Sequence, residues 1–92
     1  MRFKNFARKA LRRLYEHGRA KGLPADSVPK LRNMLAFLQD MQAPHELMRL
    51  PTWKAHHLSG PRAGTWSLHV TRNWRLTFWI DPDGAAVCDV NF

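Results

Sequence analysis

Four side chains in the second half of the chain can do chemistry: His56, His57, His69 and Arg75. An imidazole gives or takes a proton near neutral pH. A guanidinium offers a fork of N–H donors matched to phosphate oxygens. Around them Lys54, Arg62 and Arg72 supply positive charge, and Trp79 supplies a ring on which a base can stack, a contact worth roughly 1–3 kcal/mol. Each also has a plainer reading. A strand histidine is commonly a satisfied polar group, Arg62 and Arg72 suit solvated loops, Arg75 suits a structural salt bridge with Asp89, and Trp79 suits packing under a terminus or partner. His56 and His57 are adjacent on an extended stretch, so they point to opposite faces and make a poor metal site. Ser59 lacks a base and orienter, which leaves serine-hydrolase chemistry without support.

These residues lie on alternating runs. Trp66, Leu68 and Val70 share one side of a first strand, and Leu76, Phe78 and Ile80 one side of the next. Ser67, His69 and Thr71, then Arg75, Thr77 and Trp79, occupy the opposite face. A strand is expected near Lys54 to Leu58, and Ala85 to Phe92 reads as the last one. Ser59 to Gly64 reads as a hairpin connection, since it lacks the strand–loop–helix context of a phosphate cradle. Arg72-Asn73 fits a tight turn in which Asn tolerates left-handed geometry, and Asp81-Pro82-Asp83-Gly84 a further turn.

The apolar sheet face needs a cover, and the first half of the chain provides it. Helical spacing of Phe6, Ala7, Ala10, Leu11 and Leu14 predicts a helix over Asn5 to His17, stopped at Gly18. Asp26 or Ser27 should cap a second helix with Pro29 in its first turn. Val28, Leu31, Met34, Leu35, Leu38 and Met41 form its core face. A short helical turn is expected at Pro44 to Met48. The fold class that follows is α+β, with two N-terminal antiparallel helices packed on a small antiparallel sheet.

The 92 residues read as one domain, 1–92, with a single modest core. No run approaches the roughly 20 apolar residues of a membrane span, and Met1-Arg2-Phe3-Lys4 lacks a secretory apolar stretch. An Arg-rich start also fits a presequence or a membrane-surface helix, readings that weaken if the helix covers the sheet. Cys88 is the single cysteine, so no internal disulfide forms; beside Val90 it reads as a small buried thiol. The cytoplasm is the expected compartment. The net charge of +8 divides as +7 over residues 1–50 and +1 over residues 51–92. Such a surplus suits RNA, DNA, the ribosome or an acidic protein.

Lys54-Ala55-His56-His57-Leu58-Ser59-Gly60, then Gly64-Thr65-Trp66-Ser67-Leu68, then Asn73-Trp74-Arg75-Leu76-Thr77-Phe78, resembles the HigB-type toxins of the RelE/ParE superfamily. Their pattern is close to K-L-H-P-L-K-G followed by G-x-W-S-I-x-V-x-x-N-W-R-I-x-F. The resemblance implies a RelE-like fold and a ribosome-dependent endoribonuclease that cuts mRNA in the A site. It also implies a helix-turn-helix, HigA-like antitoxin as partner. In that chemistry the ribose 2′-hydroxyl attacks its own 3′-phosphate without metal or cofactor. His56 matches the family's motif histidine and Arg75 its motif arginine, as catalytic residues; Lys54, Arg62, Arg72 and Trp79 are the expected RNA contacts. Three departures stand out. Ser59 replaces a lysine and His57 a proline, and the chain stops at Phe92 where relatives carry an Asp-Tyr-His-like tail, so weakened activity is expected. Two other readings are a non-catalytic ribosome- or antitoxin-binding module and a gyrase-poisoning toxin; the His56 strand argues against the latter.

Overall fold

The alternating runs form the central hairpin of a five-stranded sheet. A computed structural model describes residues 1–58, 64–83 and 85–92. Its strands are β1 (Arg2–Phe3), β2 (His56–His57), β3 (Thr65–Thr71), β4 (Trp74–Asp81) and β5 (Ala86–Asn91), and its helices are α1 (Lys9–His17) and α2 (Val28–Asp40). The strand order is β1-β5-β4-β3-β2. All pairs are antiparallel except β1 with β5, which is parallel. The α+β reading therefore holds, while two of its details are corrected. A strand precedes the helices, and the sheet is mixed.

The cause lies in residues 2–7. Lys4 and Ala7 donate backbone N–H groups to the carbonyls of Val87 and Val90, both at 2.8 Å. The Asn5 side chain bonds Asp89 twice, its amide donating to the carboxylate and its oxygen accepting the Asp89 N–H at 3.0 Å. Phe3, Phe6 and Tyr15 pack together with centroids 4.6–5.6 Å apart. Edge pairing thus holds the segment extended, and α1 starts at Lys9 rather than Asn5. Gly18 closes it in the left-handed region at φ 69°, where the lack of a Cβ removes the strain.

The second helix ends one residue before Met41, and Pro29 falls in its first turn as read. Neither Asp26 nor Ser27 caps it. A 3₁₀ turn over Ala25–Ser27 feeds directly into the helix, so Ser27 is already helical and its buried hydroxyl has no partner among the described residues. At the other end the Met1 ammonium donates to the carbonyls of Leu38, Gln39 and Met41. A cation there answers the orphan carbonyls and the negative end of the helix dipole. The connection to the sheet is a pair of 3₁₀ turns, Pro44–Arg49 and Pro51–Trp53. The Glu46 carboxylate secures the first by accepting the Gln42 and Ala43 N–H groups at 2.8 and 2.7 Å.

Leu11, Leu14, Leu31, Leu35 and Leu38 meet Trp66, Leu68, Leu76 and Phe78 in one buried cluster, with Met34 and Met41 filling it. Strand β2 is shorter than expected, two residues instead of five. The β3–β4 turn sits at Arg72-Asn73, but neither residue has a positive φ. A register shift between His69 and Thr71 takes up the twist that a left-handed turn would otherwise supply. The Ser59–Gly64 connection, apart from Gly64, lies outside the described residues, as does Gly84.

Leu35 is 2% exposed at the centre of this cluster and Met48 is 63% exposed. Leu35→Ala should cost about 2–5 kcal/mol through the cavity it leaves. Met48→Ala should stay within about 0.5 kcal/mol of the parent. Urea denaturation of the two variants beside the parent measures both.

Candidate active site

Strand register decides which side chains share a face. His56 lies opposite Ser67, Ser67 opposite Thr77, and Thr77 opposite Asn91, so one polar row crosses four strands. The neighbouring row pairs His69 with Arg75, and the row on the other side pairs Thr65 with Trp79 and Trp79 with Cys88. His56, His69, Arg75 and Trp79 are therefore on one face. His57 is not. It pairs with Trp66 on the opposite face, its ring 3.9 Å from the indole by centroid, and lines an apolar hollow of about 510 Å³ with Met1, Pro44 and Ile80.

His56 is exposed, and its Nδ1 lies 2.9 Å from the Lys54 carbonyl. With Nδ1–H donating to that carbonyl, Nε2 is left facing outward for proton transfer. The contact depends on Lys54 adopting φ 47° at the end of the second 3₁₀ turn. Such a conformation is uncommon for a residue with a Cβ.

Arg75 donates from Nη1 to the carbonyls of Thr71 at 2.9 Å and Trp74 at 3.2 Å. The guanidinium is thereby held against the β3–β4 turn. It forms no salt bridge with Asp89, which corrects that alternative. The Asp89 carboxylate is occupied by the Asn5 amide and by the Trp79 indole N–H at 2.7 Å. Those two bonds, Asn5 first, hold its pKa below the ordinary carboxylate value. Trp79 keeps 38% of its surface exposed while its indole is tethered through the N–H.

His69 is half-buried. Desolvation first, then the charges of Arg75, Lys30 and Lys54, push its pKa below the ordinary imidazole value, which favours the neutral ring. This convergence escaped the sequence reading. His69 was visible on the polar face, but Lys30 belongs to α2 and Lys54 to the turn before β2, and no local pattern links three such distant positions.

Arg72 is exposed at the tip of the β3–β4 turn. Arg62 lies outside the described residues. Among the helix-region cations, Arg8 is not a free surface charge. Its guanidinium donates to the carbonyls of Phe92 at 2.7 Å and Gly22 at 3.1 Å, and lies 5.6 and 5.5 Å from the centroids of the Trp74 and Phe92 rings. Arg12 pairs with Glu16 at 2.7 Å. Cys88 is buried as read. Among the described residues no three His, Cys, Asp or Glu side chains gather as a metal site, and no helix is long and apolar enough to cross a membrane.

Two comparisons bear on this arrangement. The model of the HigB-like toxins, described as RelE-like toxins of the type II toxin–antitoxin system HigB, matches residues 4–90. The chain is also similar to Endoribonuclease HigB of Proteus vulgaris, 39% identical over 75 residues that span 82% of this chain and 80% of that protein.

The Asp89 tether sets a pH dependence. A carboxylate with a depressed folded pKa adds stability that is complete above its unfolded value near 3.8 and is lost as pH falls through the folded value. Asp89 has φ 52°, which Asn also tolerates, so Asp89→Asn removes the charge without forcing the backbone. The melting-temperature gap between parent and variant should be widest near neutral pH and close in acid. Thermal melts from pH 7 down to pH 2.5 measure it.

Proposed function

This chain belongs to the HigB-like family of RelE-like toxins of type II toxin–antitoxin systems, and we propose that it is a ribosome-dependent endoribonuclease that cuts mRNA in the A site. The observation that supports the reading best is the register of the polar face. His56 lies across from Ser67, Ser67 from Thr77, and Arg75 stands two residues before Thr77 on the same side. A proton-transfer group on β2 and a phosphate-binding fork on β4 thus share one face, in adjacent rows with β3 between them.

In this mechanism the ribose 2′-hydroxyl attacks its own 3′-phosphorus. His56 moves a proton through Nε2, with Nδ1 held on the Lys54 carbonyl. Arg75 stabilises the charge that develops on the phosphoryl oxygens, its guanidinium already oriented by the Thr71 and Trp74 carbonyls. Lys54, Arg62 and Arg72 contact the RNA backbone, and Trp79 offers its tethered ring to a base. No metal or cofactor enters the scheme. Residues 1–92 act as one toxin domain in the cytoplasm, neutralised by a HigA-like helix-turn-helix antitoxin. Lys9 and Arg13 contact ribosomal RNA together with the site cations.

Toe-printing on stalled ribosomes tests the chemistry. Arg75→Ala should lower cleavage by about 10²–10³-fold, and His56→Ala by roughly 10²–10⁴-fold at most, each with the parent's melting temperature. Equal cleavage by parent and a folded Arg75→Ala variant would remove that residue from the mechanism. Binding without cleavage by the parent would favour the non-catalytic module.

Ribosome binding should also fall steeply with salt, because each phosphate neutralised releases counterions. Sedimentation with ribosomes at about 50 and 200 mM salt measures it. Binding that ignores salt would exclude backbone contact as its main source.

A further inference from the structure

Proton transfer in a displacement of this kind has two ends. One group must take the proton from the attacking hydroxyl and another must give one to the departing oxygen. His56 supplies one such group. His57 cannot be the other, because it faces the opposite side of the sheet against Trp66. His69 lies on the correct face, directly across from Arg75. Cross-strand neighbours bring their Cβ atoms to about 4.5–5.5 Å, and diagonal ones to about 7–8 Å. A phosphate gripped by Arg75 is therefore beside the His69 ring, and His56, across from Ser67 on β2, is diagonal to His69 on the side away from Arg75.

We infer that His69 is a second proton-transfer residue of this site, taking the 2′-hydroxyl proton while His56 protonates the departing 5′-oxygen. The inference rests on the endoribonuclease reading above. The O2′–phosphorus bond forms, the phosphorus–O5′ bond breaks, and the products are a 2′,3′-cyclic phosphate and a free 5′-hydroxyl. One proton goes to His69 and one leaves His56, so the charge balances. In an in-line displacement the entering and leaving oxygens lie on opposite sides of phosphorus, so the phosphate would lie between the His69 and His56 imidazoles, with Arg75 reaching it from β4.

The surroundings fit the basic role. Desolvation first, then Arg75 from β4, Lys30 from α2 and Lys54 from the turn before β2, disfavour the protonated form of His69. Its partial burial and these three cations favour the unprotonated ring, the form that can accept a proton. The same cations offset the charge of the incoming phosphate. His56, exposed and bonded through Nδ1 to the Lys54 carbonyl, has a geometry that also serves its protonated form.

Single-turnover cleavage of ribosome-bound mRNA is to be followed from pH 5 to pH 8.5 for the parent and for His69→Gln, with melting temperatures alongside. The parent's rate should follow a bell-shaped profile, rising with pH on its acid side through a step below 6.5. His69→Gln should lose that step and at least about 10²-fold in rate while melting like the parent. A ring titration of His69 in the parent by NMR should coincide with the kinetic step. This arm needs no variant, and it decides the matter if His69→Gln does not fold. A parent that cleaves, with a folded His69→Gln variant of equal rate and the same step, would overturn the role of His69 and leave the nuclease reading standing. So would a ring titration a full unit away from the step. A parent that cleaves at no pH would overturn the nuclease reading and this inference together.

Discussion

Everything in this fold depends on the register of β3 against β4. The pairing Trp66 with Phe78, Leu68 with Leu76 and His69 with Arg75 sends the apolar side chains to one face and the chemical ones to the other. A slip by one residue would exchange the two faces, because the side-chain period of a strand is two. Burial prevents the slip. Leu68, Leu76 and Phe78 are sealed beneath the leucines of α1 and α2. At roughly 1.5–3 kcal/mol for each large apolar side chain removed from water, no single polar contact on the other face competes with that face's burial. The site is thus oriented by a core that none of its own residues belongs to.

The rims of the sheet are secured by different means. At one edge β1 pairs in parallel with β5, and Asn5 and Asp89 bind each other through both side chain and backbone. Asp89 stands in the left-handed region where β5 gains a residue relative to β4, and its carboxylate then reaches Trp79. Arg8 closes the adjoining corner over the stacked rings of Trp74 and Phe92, whose centroids are 4.8 Å apart. At the other edge β2 is held by β3, and the bend at Lys54 brings its carbonyl to His56. These contacts orient the residues around Arg75 and His56.

The excess of cations serves several purposes. Arg8 organises a corner, Arg12 is paired with Glu16, and Arg32 donates to the Gly18 carbonyl at 2.9 Å behind the end of α1. Counted over the chain, these charges look like one basic surplus concentrated in residues 1–50. In space a smaller group matters more, because Arg75, Lys54 and Lys30 converge on one imidazole from three elements. Net charge describes long-range attraction to a polyanion. Only the local arrangement sets a protonation state.

Composition and periodicity alone determined the α+β class, the two core-facing helices, the β3 and β4 faces, the stop at Gly18 and the buried Cys88. These are local properties, set by the spacing of apolar residues and by glycine's freedom at positive φ. The opposition of His56 and His57 was legible for the same reason, since adjacent strand residues must diverge. The extended start was not, because Phe6, Ala7 and Ala10 match a helix well until β5 offers its edge to residues 2–7. The missing cap at Ser27 and the absence of a positive φ in the correctly placed Arg72-Asn73 turn depended on what came before each, a 3₁₀ lead-in and a register shift. Arg75 could have paired with Asp89 until Asn5 and Trp79 claimed that carboxylate. The neutral state of His69 was beyond any local reading, because it arises from desolvation and charges contributed by residues far apart in the chain, and only folding sets those distances.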